Sequence, residues 1–259
     1  MRKHSLVDTV TYCKKHKEMS MVVEQTKIAT IATAALGLML VCLMGVARVY
    51  NLSSLLREDG PVEYLSAVFW MVGCVISLSM IMKTRSNSKI LAIIFVLVCF
   101  VSFGEELSWG QRLIGFDTPS WCRHINRQGE FNLHNLRALS GGSTWTDFLK
   151  TGRFSLYQIF DAQNMFRMGF FFFFFLLPLF SRNSSVRSVI TRIGYETPPL
   201  SFLIILWTVI IVSGMCEINA QATHRHEIQE IRELSYAVFV TTYLFFSAAR
   251  NRGATMTRN

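Results

Sequence analysis

ILAIIFVLVCFVSFGEELSWGQR, residues 90–112, decides the fold. From Ile90 to Gly104 it carries no charge, and then two adjacent carboxylates, Glu105 and Glu106, precede Ser108, Trp109, Gln111 and Arg112. An uncharged run of this kind reads as a helix crossing a bilayer, because lipid offers no partners to backbone N–H and C=O groups. The carboxylates fall where that crossing should end. Further on, His124, Asn126, Gln128, Glu130, Asn132 and His134 recur at every second position.

The same reading extends along the chain. Of its 259 residues, 51% are hydrophobic and 17% charged, against about 25% charged in soluble domains; the mean hydropathy is +0.33. Six apolar runs predict an all-α polytopic membrane protein, with spans at about 28–49, 62–82, 90–107, 166–180, 200–220 and 234–249. An interfacial or re-entrant segment is expected between the third and fourth. Pro61 fits the first position of the second helix, and Glu63 its first turn, where the helix dipole favours an anion. The Gly- and Pro-free charged stretch between the fifth and sixth runs predicts a protruding end of the fifth helix or a helical elbow. The Phe170–Phe175 run reads as a lipid-facing or packing surface, since such rings have no polar handle.

The net charge of +9 does not point to nucleic acid, for no basic groove or recognised motif is present. Lys and Arg instead flank the apolar runs, as orientation signals do. The 1–27 segment, the 83–89 and 182–192 loops and the 251–259 tail are basic and place both termini in the cytoplasm. The 108–165 segment then lies outside. Of the six cysteines, Cys42, Cys74 and Cys99 sit deep in apolar runs and read as small hydrophobes. Cys122 and Cys216 share the outer side, but sequence alone does not bring them together.

That topology gathers the chemistry at the outer ends of the spans. Glu106 stacks over Ser102 and Cys99, a small and polar helix face, while Glu105 stacks over Val101 and Val98. Carboxylates at such a depth are functional candidates; the structural alternative is a pair of helix-end acids reaching the interface or bridging Arg112. Glu217, Gln221 and His224 would share one face of the fifth helix, and Tyr157, Asp161 and Asn164 one face at the entry to the fourth. Three polar stripes at one depth suggest a shared pocket or a hydrogen-bond network. Around Asn132 an extended approach is expected to break into a short helix. Trp109, Trp121 and Trp145 suit an interfacial belt. The candidate catalytic residues are Glu106, Glu105, His134, Asp161 and His224, with His134 and His224 as candidate zinc ligands, although no HExxH-type spacing accompanies them.

The strings Glu105-Glu106-Leu107-Ser108-Trp109-Gly110-Gln111-Arg112 and Asn126-x-Gln128-x-Glu130-x-Asn132-Leu133-His134-Asn135 resemble a pattern of an uncharacterised family of bacterial multi-pass membrane proteins. The resemblance covers about an eighth of the chain. It implies the bacterial inner membrane and brings no reaction with it. The paired glutamates are partly similar to the EExxxR motif of CAAX-protease-like enzymes, but Gly110 stands where that arginine belongs and Arg112 follows two later. The late histidines are partly similar to the HxxxH of ceramidase-like enzymes, but Ile228 stands four after His224.

The expected function is that of an integral membrane protein with a polar pocket facing the outer leaflet. In sharper form it is a hydrolase of a lipid or lipid-linked substrate, with Glu106 as general base. The competing class is a non-enzymatic assembly, receptor or transport-accessory subunit. A proton- or ion-coupled carrier ranks third, because the inner halves of the spans offer almost no polar path.

Overall fold

A computed structural model of the chain describes residues 30–47, 50, 56, 60–83, 89–126, 129–133, 136–139, 160–219 and 222–256. Among these, every regular element is helical. We number the helices α1 (Thr30–Ala47), α2 (Pro61–Lys83), α3 (Lys89–Glu106), α4 (Gln111–Ile114), α5 (Ser120–Ile125), α6 (Ala162–Phe180), α7 (Ser184–Arg192), α8 (Leu200–Asn219) and α9 (Ala222–Met256). Among the described residues, four helical segments are long and apolar enough to cross a membrane: Thr30–Ala47, Pro61–Met82, Ala162–Phe180 and Leu200–Asn219. Their outward faces carry exposed Leu38, Val68, Val75, Phe172, Ile204 and Ile211, a surface suited to hydrocarbon rather than water. The 1–27 segment and the 84–88 loop lie outside the described residues.

The bundle is built around α2, which packs on both α3 and α9, while α8 packs on α9. Small residues permit these approaches, as expected where lipid supplies no hydrophobic drive between helices. A Cβ added at Gly73 of α2 would lie 3.0 Å from Cys99 Sγ of α3 and 3.1 Å from Thr241 Oγ1 of α9. The same Thr241 hydroxyl donates to Phe69 O at 2.7 Å. Helix α1 buries a stripe of Thr33, Gly37, Leu40, Met44 and Ala47. At Gly37 it meets α8 so closely that an added Cβ would stand 2.7 Å from Ile205 Cγ2.

Contacts distinguish two ends of the bundle. At one, α2 and α6 begin and α3 finishes: Ser66 Oγ donates to Glu106 Oε1 at 2.8 Å, and Gln163 Nε2 to Glu233 Oε1 at 3.4 Å. At the other, Leu91 N–H donates to Ile193 O at 3.1 Å, and Arg250 Nη1 to Thr197 O at 3.3 Å.

The phenylalanine run both packs and faces outward. Phe170 and Phe174 are buried, whereas Phe171, Phe172 and Phe175 are exposed. Within it, Phe172–Leu176 forms a π turn, with Leu177 N–H donating to Phe172 O. Phe173 O thereby loses its regular helical donor, and Phe174 O faces Pro178, which has no N–H. Both carbonyls find side-chain donors instead: Tyr195 OH at 3.3 Å to Phe173 O, and Trp207 Nε1 at 3.2 Å to Phe174 O. Trp207→Phe would leave the Phe174 carbonyl short of a donor, so a loss of about 1–3 kcal/mol is expected in unfolding measurements in detergent. An unchanged midpoint would contradict this role.

The charged stretch before the last apolar run is helical, but it belongs to the start of α9 rather than to the end of the fifth helix. Helix α8 stops at Asn219 and α9 starts at Ala222. Glu217 and His224 therefore lie on different helices, and Gln221 lies outside the described residues.

Candidate functional site

The site begins where α3 ends. Ser108, Trp109 and Gly110 take three successive positive φ values, 45°, 53° and 84°. For the two non-glycine residues such backbone costs about 1–3 kcal/mol each, so surrounding contacts must hold it. They do. Trp109 folds back over α3, its indole N–H donating to Glu105 Oε1 at 2.5 Å and its ring meeting Phe100 edge-on at 5.9 Å. The ring sits tight against Gly104, where an added Cβ would lie 3.0 Å from Trp109 Cδ2 and Cε3 and the indole would have to give way by a few tenths of an ångström. Gly104→Ala is expected to cost about 1–3 kcal/mol by overpacking and to shift the tryptophan emission. Unaltered emission and stability would contradict the packing.

The loop that follows is tied to this turn through its polar side chains. Glu105 Oε2 accepts from Leu133 N–H at 2.7 Å, and Gln111 Oε1 from Phe131 N–H at 2.8 Å. Glu130 Oε2 accepts from Ser108 Oγ at 2.9 Å and from Asn132 Nδ2 at 3.0 Å. Buried Asn126 donates to Asn132 Oδ1 at 2.8 Å, and its backbone forms an isolated antiparallel bridge with Leu136. The alternating polar residues thus close a compact fold-back, with Gly129 at φ 72°. Gln128 lies outside the described residues, and the turn at 137–139 replaces the short helix expected after Asn132.

Glu106 points elsewhere. One residue on from Glu105, it is turned by about 100° around the helix and faces α2, where Ser66 Oγ and the Trp70 indole both donate to its carboxylate. It lines a cavity of about 610 Å³ with Glu63 and Trp70 of α2, Ser102 of α3, Gln163, Phe166 and Arg167 of α6, and Gln229, Glu233 and Tyr236 of α9. Arg167 is oriented by Gln163 Oε1 at 3.2 Å and Asn164 Oδ1 at 3.4 Å. Comparison of the chain with protein-family models, curated proteins and solved structures finds no match. The cavity sets a carboxylate braced by two donors and a guanidinium braced by two acceptors among aromatic and aliphatic walls.

The other sequence candidates divide. Glu105 borders the cavity, with both oxygens accepting hydrogen bonds from the fold-back. Asp161 caps α6, its Oδ1 accepting from Asn164 N–H at 3.1 Å, the usual task of an aspartate at that position. His224 bonds Glu227 at 3.2 Å and is not among the cavity-lining residues; its neighbour but one, His226, is. His134 and Tyr157 lie outside the described residues. Among the described residues no three His, Cys, Asp or Glu side chains converge on a metal position. Cys122 and Cys216 are both free thiols.

Beside the cavity, Glu217 of α8 is buried against α9. Its Oε2 accepts from Arg232 Nη1 and its Oε1 from Gln229 Nε2 at 3.1 Å. Sequence reasoning missed Arg167, Arg232, Glu233 and Tyr236. The available signal for Arg167 was a charge one residue inside an apolar run. For the α9 residues it was 3.6-residue periodicity through the charged stretch, which places Gln229, Glu233 and Tyr236 on one helix face.

Proposed function

We propose that the chain is an integral protein of a bacterial inner membrane, crossing it six times with both termini in the cytoplasm. In this reading the cavity faces the outer leaflet and hydrolyses a lipid or lipid-linked substrate. The observation that carries the reading is Glu106, oriented by Ser66 and Trp70 and sharing one cavity with Arg167 and the apolar rings of Trp70 and Phe166. Polar side chains make up much of the lining, Glu63, Glu105, Glu106, Glu230 and Glu233 among them, and Trp70, Met165 and Phe166 supply apolar wall; a concave site with placed polar groups is the usual form of a small-molecule site. Water enters beside Glu106, and its oxygen bonds to the electrophilic centre as its proton passes to the carboxylate. The ester bond breaks, the departing oxygen takes up a proton, and Glu106 passes its own proton on. Arg167 offsets charge developing on the substrate.

For six crossings, α3 and the second half of α9 join the four more apolar helices. The uncharged run of α3, packed along α2, and residues 234–249 of α9 support this. Alkaline phosphatase fused after Asn259 should stay inactive and a fluorescent protein there should fluoresce; the opposite pair of results overturns the orientation. For the activity, protein reconstituted into vesicles of phosphatidylethanolamine and phosphatidylglycerol should release headgroup or acyl fragments detectable by mass spectrometry. Intact lipid after prolonged incubation counts against hydrolysis of these lipids.

A second reading, a non-enzymatic assembly, receptor or transport-accessory subunit, is favoured by the Glu105–Trp109–Leu133 and Ser108–Glu130–Asn132 bonds. They employ motif residues in holding the fold-back together.

A further inference from the structure

The fold-back turns an apolar face outward. Leu113 and Ile114 of α4, Phe116 just beyond it, and Trp121 and Ile125 of α5 are all exposed, Ile114 at 80% and Trp121 at 61%. Phe131 bridges Phe116 and Trp121, its ring 6.1 Å from the first and 6.2 Å from the second. Within α5, Trp121 and Ile125 stand one turn apart on a shared edge, exposed Arg123 lies nearly opposite them, and Cys122 and Asn126 are buried. Large apolar side chains grouped in this way on one segment mark a surface that meets something other than water.

The neighbouring helix ends fix the depth of this face. The apolar part of α2, Pro61–Met82, has 22 residues, about 33 Å of helix against a hydrocarbon layer of about 30 Å. Ser66 stands five residues after Pro61, about 7.5 Å along the axis, and its bond to Glu106 brings the end of α3 to that level. The fold-back leaves α3 there and returns to Glu105 through Leu133 N–H. It then meets the start of α6, where Ala162 N–H donates to Leu139 O at 2.8 Å. Both of its ends are thus tied to helix termini at the edge of the hydrocarbon. A tryptophan suits that edge, with its apolar ring and polar N–H. Exposed Arg123 adds a cation on the side where lipid phosphates stand.

We propose that the α4–α5 face is seated in the phospholipid leaflet at the Glu106 end of the bundle, with Leu113, Ile114, Trp121 and Ile125 among the upper acyl carbons and Arg123 toward the headgroups. Leu133, half-exposed and part of the cavity lining, then places that wall of the cavity at the lipid boundary. The proposal rests on the bundle spanning a bilayer and is independent of hydrolysis.

The test uses the full chain in vesicles of phosphatidylethanolamine and phosphatidylglycerol, with and without phosphatidylcholine brominated near the carboxyl end of its acyl chains. Emission of the wild type minus that of Trp121→Phe isolates Trp121, and the phenylalanine keeps a ring beside Phe131. Ile114→Trp adds a second reporter on α4 and stands in should Trp121→Phe fail to fold. Brominated lipid should remove most of the emission of both reporters, while iodide supplied on both sides of the bilayer leaves it nearly unchanged. Quenching by iodide places the face in water and overturns the proposal. Protection from both quenchers overturns lipid as the occupant in favour of a protein partner.

Discussion

Replacing Glu217 by leucine will destabilise the protein by about 3–5 kcal/mol, the usual cost of stranding one partner of a buried ion pair. Both side chains are buried, at 6% and 7% exposure, so Arg232 would keep its charge without a counterion and without solvent. Most of the loss therefore comes from the stranded guanidinium rather than from the bond itself. The double variant Glu217→Leu/Arg232→Met should recover much of the stability, because a pair of apolar residues carries no desolvation cost. Equilibrium unfolding in detergent gives all three numbers of the cycle. A double variant destabilised by the sum of the Glu217→Leu and Arg232→Met losses would show that the pair has no such energetic coupling.

Glu106→Gln will lower turnover by about a hundred- to ten-thousandfold, the range that a positioned general base contributes. The amide oxygen can still accept from Ser66 Oγ, so the contact between α2 and the end of α3 should stay in place. What disappears is the capacity to take a proton from water. The variant should therefore accumulate in membranes and unfold much as the wild type does while losing activity. Loss of abundance together with loss of function would favour the packing role instead.

The helices were legible because lipid-facing segments advertise themselves by uninterrupted apolar composition. The expected 62–82 and 200–220 runs coincide within a residue with α2 and α8, and Pro61 stands at the first helical position as its missing N–H dictates. The start of α6 at Ala162 was less visible, since Asn164 and Arg167 interrupt the hydrophobicity, and the Asp161 cap marks it better than hydropathy does.

The cavity was legible in part. Glu106, Ser102 and Cys99 were expected on one face, and Ser102 and Glu106 do line the cavity. The α8 stripe was not recoverable in the same way. A helix end at Asn219 within an unbroken polar sequence has no Gly or Pro to announce it, so Glu217 and His224 read as one surface. The role of Glu105 also needed three dimensions: its partners Trp109 and Leu133 are brought to it by a left-handed turn that no hydrophobic pattern encodes.

The central claim, that Glu106 acts chemically in a lipid-accessible cavity, is tested most directly by one paired assay. Equal amounts of folded wild type and Glu106→Gln, matched by size exclusion and membrane abundance, are reconstituted into the same phospholipid vesicles and lipid products are counted over time. The account predicts product from the wild type and almost none from the variant. Equal product from both would contradict it.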